Sequence, residues 1–192
     1  MNASELLPLS EDLALNLERI KAAFSYPKNT ALQIRELYIP ALQLEAVILF
    51  IEAAVNKDTI EQHLIEPLLR PSAEQLVYDN PADVLLKHML TVSSGQIVDT
   101  ERQLIKSLLN GSTVILLEGE AKALSMATEG FETRSIPEPK VEHVLKGPKE
   151  AFVESASTNR SLIRKQIKDQ RLVAEAIHLN GTGSEITMMY MN

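Results

Sequence analysis

The sequence predicts an α/β (mixed α+β) fold: helices packed on a mixed sheet, followed by a second, smaller subdomain. Three observations predict it. Some segments repeat apolar residues at helical spacing, while others carry them as short alternating or continuous runs. These segments follow in the order helix, two strands, helices, strand, helix, strand, which sets helices against a sheet. The charge then changes sign at IPEPK, residues 136–140. The net charge of −7 divides into −9 over residues 1–133, +4 over 134–171 and −2 over 172–192. Prolines on both sides of a glutamate favour an extended, semi-rigid connector. The expected boundaries are therefore 1–135 for the first subdomain, 136–146 for the connector and 147–192 for the second.

The first helix opens at Ser10, a capping residue, with Glu11 and Asp12 placed to suit the helix dipole. Leu13, Leu17, Ile20 and Phe24 follow on one face, and SYPKN (25–29) ends it. ALQIRELYI (31–39) reads as a strand with a change of phase near Glu36, stopped by Pro40, which cannot donate to a ladder. EAVILFIE (45–52) is apolar enough for a central strand covered on both faces. Residues 57–69 are helical through Ile60, Leu64 and Leu68, with Pro67 expected to kink or stop the helix.

Pro81 to Leu90 is a further helix with proline at its favoured first position. Residues 99–109 form another, stopped at Asn110-Gly111. TVILLEG (113–119) is the third strand. A short helix over Glu120–Ala127 and a fourth strand over FETRSI (131–136) are expected to complete the region. RLVAEAIHL (171–179) and residues 185–191 read as strands joined through Asn180-Gly181, a hairpin signal. That hairpin cannot be stable alone and must lie on the preceding helix or on more chain.

Composition narrows the function. Aromatics are 4% with no Trp, so the core rests on Leu, Ile, Val and Ala. The chain has no Cys, which excludes a disulfide framework and thiolate metal sites and fits a reducing compartment. Acidic residues occupy the N-terminus where a secretory signal carries cations. The apolar run AVILFI (46–51) is far short of the roughly 20 residues of a membrane span. The chain is expected to be soluble, and a net acidic chain argues against nucleic acid as a partner.

Motifs for chemistry are scarce. His63, His88, His143 and His178 are scattered without metal-ligand spacing, so no metal or cofactor is expected. No serine lies in a GxSxG elbow. NGTGSE precedes a strand rather than a helix, so it reads as a turn and not a phosphate loop. The Asn-x-Ser/Thr triplets at Asn110 and Asn180 lie in turns of a chain with no secretory mark. Nothing argues positively for an enzyme.

The informative stretch is GPKEAFVESASTNRSLIRKQIK, residues 147–168. Pro148 opens a helix well, and Glu150 then lies in its first turn. Glu150 and Glu154 are i,i+4 neighbours that repel unless a cation lies between them. Arg160 and Arg164 form a matching pair, with Lys165 and Lys168 beside them. STNRS (157–161) supplies a second set of caps, so the segment reads as a bent helical pair restarted at Thr158 or Asn159. A solvated helix trimmed with ion pairs is the plainer alternative.

These residues resemble the hallmark of the GerA family, the spore germination receptor A subunits of endospore-forming bacteria. Arg134, Ile136, Glu138 and Pro139 match the family's Arg-x-Ile-x-Glu-Pro element. Gly147, Pro148, Glu150, Phe152 and Glu154 match its Gly-Pro-basic-Glu-x-Phe-x-Glu motif. Asn159, Leu162, Ile163 and Arg164 match its Asn-x-x-Leu-Ile-Arg-Arg helix. Lys165 replaces the second arginine, keeping charge but not the guanidinium fork. Weaker similarity extends through residues 108–124 and AVILFIEAAV to the first helix.

The resemblance implies the soluble N-terminal region of a larger membrane subunit, with two subdomains around a cleft and the second incomplete at residue 192. It implies B and C receptor subunits as partners, a small nutrient such as an amino acid or sugar as ligand, and a place at the spore inner membrane, this domain facing the spore core. Arg134, Glu150, Glu154, Asn159 and Arg164 are the residues expected to line or brace the cleft. Charges of both signs suit a zwitterion, and an ion pair between subdomains is the structural alternative for each. A second function is an assembly module, forming a homo-oligomer without a ligand site, as in a related spore dipicolinate or ion-release protein.

Overall fold

The computed structural model describes residues 7–71, 80–131, 152–179 and 185–192. Helix α1 (Leu13–Ala23) starts two residues later than a cap at Ser10 would place it. Asp12 is the cap: its carboxylate accepts from the Leu15 amide at 3.0 Å, while Ser10 Oγ accepts from the Asp12 amide at 3.1 Å. The serine turns the chain into the helix, and the longer aspartate reaches the orphan amide.

Strands β1 (Leu32–Ile39) and β2 (Leu44–Ile51) form an antiparallel pair joined across Pro40. The phase change in β1 is present. Leu32 and Ile34 stand opposite Ile51 and Leu49 on one face, whereas Leu37 and Ile39 turn to the other face. Helix α2 covers residues 57–69: an α-turn Lys57–Ile60, a π-helical turn Glu61–Ile65 and an α-turn Glu66–Leu69. Pro67 deprives the His63 carbonyl of its helical donor, and that carbonyl instead accepts from the Thr91 amide at 3.5 Å. The helix absorbs the proline and ends at Leu69. Helix α3 (81–89) begins at Pro81 behind the Asn80 cap.

Strand β3 (Gly95–Val98), helix α4 (Glu101–Leu109), strand β4 (Thr113–Leu117) and strand β5 (Ala123–Met126) complete a five-stranded sheet in the order β1-β2-β4-β5-β3, antiparallel throughout. One expectation changes here. The short helix over Glu120–Ala127 is instead β5. Gly119, at φ +77, turns the chain back after β4, and all four residues of β5 are buried between two strands. Sheet pairing outweighs the helix preference of Ala, Leu and Met. Of the strand expected over FETRSI, Phe131 lies in irregular chain packed on the core, and the rest lies outside the described residues, as does the 136–146 connector.

The sheet carries apolar side chains on both faces. Val47, Leu49, Val114 and Leu116 meet α1 and α4 on one side. Ile48, Ile115, Leu117 and Leu124 meet α2 and α3 on the other. A three-layer arrangement results, with β2 and β4 central. Helix α5 (Ala156–Gln166) and the hairpin of β6 (Leu172–His178) and β7 (Glu185–Met191) form the remaining described part. The hairpin joins the larger unit near the end of α1, where Ala174 and Met189 enter the first core.

Polar groups lock that junction. Asn29, fully buried, accepts from the Ala174 amide at 3.1 Å and donates to the Leu172 carbonyl at 3.4 Å. The Thr30 amide and hydroxyl both donate to the Ala174 carbonyl at 2.9 Å.

Candidate functional site

A groove lies between the turn that follows β2 and helix α5. One wall is the 3-10 turn Glu52–Ala54, continuing through Val55 to Lys57. Its position is fixed by close backbone packing. The Gly130 amide donates to the Ala54 carbonyl at 3.0 Å, and the Asn56 amide donates to the Thr128 carbonyl at 2.8 Å. A Cβ on Gly130 would lie 2.3 Å from the Asn56 nitrogen, and one on Gly111, at φ +88, would lie 2.5 Å from the Ala54 oxygen. Both positions therefore require glycine. The buried hydroxyls of Thr113 and Thr128 pair at 2.8 Å behind them.

The other wall is a single stripe of α5. Ser157, Arg160, Ser161 and Arg164 recur at i, i+3, i+4 and i+7, the spacing of one helix face. The groove encloses about 220 Å³. A narrow cavity of about 10 Å³ adjoins it, and Glu52, Ala53 and Arg160 line both. Lys57 Nζ pairs with Glu52 Oε1 on the first wall. Arg160 Nη1 donates to Thr187 Oγ1 at 3.0 Å and lies 3.9 Å from Glu185 Oε1, so it also reaches the hairpin.

Arg164 stands at the narrow end. It is 1% exposed and donates from Nη1 to the Asp169 carbonyl at 3.2 Å and from Nη2 to the Leu172 carbonyl at 2.9 Å. Its Nε–H has no hydrogen-bond partner. Burial pushes its pKa down to about 10, against the attraction of Asp169. The side chain thus stays cationic at neutral pH, and among the described residues it has no acid in contact.

The expected site residues part company in the structure. Arg134 and Glu150 lie outside the described residues. Glu154 is exposed and precedes the helix, which begins only at Ala156, so it is not on a helical arm with the cations. Ser155 is the cap, accepting from the Thr158 amide, in place of Thr158 or Asn159. Asn159 uses both ends of its amide on Val153, accepting from its nitrogen at 2.9 Å and donating to its carbonyl at 2.7 Å. It fixes the entry of the chain into α5. Of the three among the described residues, Arg164 alone lines either cavity.

Arg160, Ser157, Glu52 and Lys57 were not among the expected residues. The signal for the first two was present: a polar stripe opposite Leu162 at helical spacing. Glu52 and Lys57 carried none, because their approach to α5 depends on long-range packing.

Comparison with known proteins places this architecture. The model of the Bacillus/Clostridium GerA spore germination protein family matches residues 18–192. Spore germination protein KA of Bacillus subtilis is 29% identical over 185 residues, covering 95% of this chain and 33% of that protein. Spore germination protein B1 of Bacillus subtilis is 25% identical over 186 residues, covering 96% of this chain and 38% of that protein. The chain thus spans about a third of the length of these relatives.

The fold matches the crystal structure of the N-terminal domain of the A subunit of the Bacillus megaterium spore germinant receptor GerK3, with a TM-score of 0.70. At 23% identity the match covers 97% of this chain and 67% of that one. Among the described residues no helix is long and apolar enough to cross a membrane. The family match over nearly the whole chain agrees with the triple motif at 134–165: this chain belongs to the GerA family of spore germination proteins and has the fold of a germinant-receptor A-subunit N-terminal domain.

Proposed function

We propose that this domain takes up a small nutrient in the groove between the Glu52–Ala54 turn and α5, and passes that event to the B and C subunits of a receptor in the spore inner membrane. One observation carries the reading. Charged groups of both signs, Glu52, Lys57 and Arg160, converge from two separate parts of the chain on a groove of about 220 Å³. That is below the roughly 300–1,000 Å³ of drug-sized pockets and suits a molecule as small as an amino acid. A ligand there touches the sheet unit and α5 together, so its binding energy bears on how the two are held. The role is binding rather than catalysis, on the spore-core side of the membrane.

Titration of the protein with L-alanine and with D-glucose, followed by amide NMR, tests this. Shifts concentrated at Ala53, Lys57, Ser157 and Ser161 with either probe support the groove. Shifts scattered elsewhere, or none with both, remove it.

A second reading, assembly without a ligand, is favoured by the outer face of the hairpin. Ile177, Ile186 and Met188 share that face by register and are exposed. If assembly is the role, Ile186→Ser and Met188→Ser together dissociate an oligomer in sedimentation while leaving the groove titration unchanged. A chain already monomeric at high concentration excludes it.

A further inference from the structure

Within the groove reading, on which this inference rests, one feature remains chemically incomplete. Arg164 is a buried guanidinium whose two terminal nitrogens donate to main-chain carbonyls and whose Nε–H donates to nothing. A buried charge is ordinarily paired, and a buried N–H ordinarily has an acceptor. Arg164 lines a cavity of about 10 Å³, room for a single water-sized atom. That cavity adjoins the larger groove, and Arg160 lines both. Glu52, the carboxylate on the opposite wall, is already neutralised by Lys57. Among the described residues Arg164 has no carboxylate in contact, and Arg160, one helical turn away on the same opening, has Glu185 alone, at a long 3.9 Å. Among the described residues Arg160 is held by a hydroxyl at 3.0 Å and that carboxylate.

We infer that this corner is a carboxylate-binding subsite: one ligand oxygen fills the narrow cavity against Arg164 Nε–H, the other meets Arg160, and the rest of the molecule occupies the groove. Charge-assisted hydrogen bonds from arginine to carboxylate are short and strong, and planar donors select planar acceptors. The subsite therefore favours ligands with a free carboxylate, such as amino acids, over neutral sugars. It also sets Arg160 between two partners, the ligand and β7.

The test reads Arg164 directly. Its Nε–H gives its own signal in a proton–nitrogen NMR spectrum, and sodium acetate serves as the probe, with sodium chloride at equal ionic strength as control. Acetate is expected to shift the Arg164 Nε–H signal and slow its exchange with water. In Arg160→Gln the signal is retained without acetate, reporting an intact fold, while acetate binds about tenfold more weakly.

A shift reproduced by chloride overturns the carboxylate assignment. So does acetate leaving Arg164 unmoved while L-alanine or D-glucose moves the Ala53 and Ser157 amides, an outcome in which the groove itself stands. If no probe moves either set, both the subsite and the groove fall.

Discussion

The five-stranded sheet and the β6–β7 hairpin are both antiparallel, yet they are held in opposite ways. In the sheet, β4 is buried at every position and packs helices on both faces. In the hairpin, burial fades along β6 from Leu172 to His178, and no residue of β7 is buried. The sheet is cemented by apolar area on two sides. The hairpin buries apolar side chains only at the start of β6, Leu172, Val173 and Ala174, with Met189 beside them, and is tied by hydrogen bonds to Asn29, Thr30, Arg160 and Arg164. Polar latches of this kind are specific in geometry and modest in net energy. They can be reinforced when a ligand adds acceptors beside the same donors, and a two-sided apolar core cannot.

The largest break is expected in the sheet. Leu116→Ala empties a fully enclosed site between α1, α4 and the sheet and should cost about 2–5 kcal/mol, with denaturant unfolding of sheet and hairpin shifting together. Asn29→Ala should cost about 1–3 kcal/mol by leaving the buried Ala174 amide without its acceptor, while the Leu172 carbonyl keeps Arg164. Its signature is local: faster amide exchange in β6 and β7, with β2 and β4 changed little.

The smallest effect concerns pH. Hydrogen bonds from the Arg171 side chain and amide hold the Asp169 carboxyl below its ordinary value. A carboxylate with a depressed native pKa contributes stability above its unfolded value and loses it as pH falls through the native one. The 167–172 turn should therefore loosen only below about pH 4, seen as a shift of the Arg171 amide. In Asp169→Asn that acid transition should be absent.

The contrast between the regions also explains what the sequence makes legible. Elements with their own periodicity are plain from residues alone: α1, the phase change in β1, β2, β4, α4 and the two hairpin strands. The strand β5 is hidden because ALSM has no alternation and is extended only by its neighbours on both sides. The strand β3 is hidden because a four-residue edge with one buried side chain leaves almost no pattern. At the site, Arg164 stands out as part of a motif, whereas Glu52 and Lys57 reach the groove only because Gly111 and Gly130 let backbone segments touch. Such contacts belong to tertiary structure, and local sequence carries no trace of which partner a glycine admits.

The central claim is that the hairpin and α5 are held to the sheet unit by a polar junction that a ligand in the groove reinforces. Native-state hydrogen exchange, with and without saturating L-alanine, tests it most directly. Without ligand, the amides of Ala174 and Tyr190 should open at lower free energy than those of Ile48 and Ile115, and ligand should raise the first pair toward the second. Equal opening energies for all four amides, unchanged by ligand, would contradict the account.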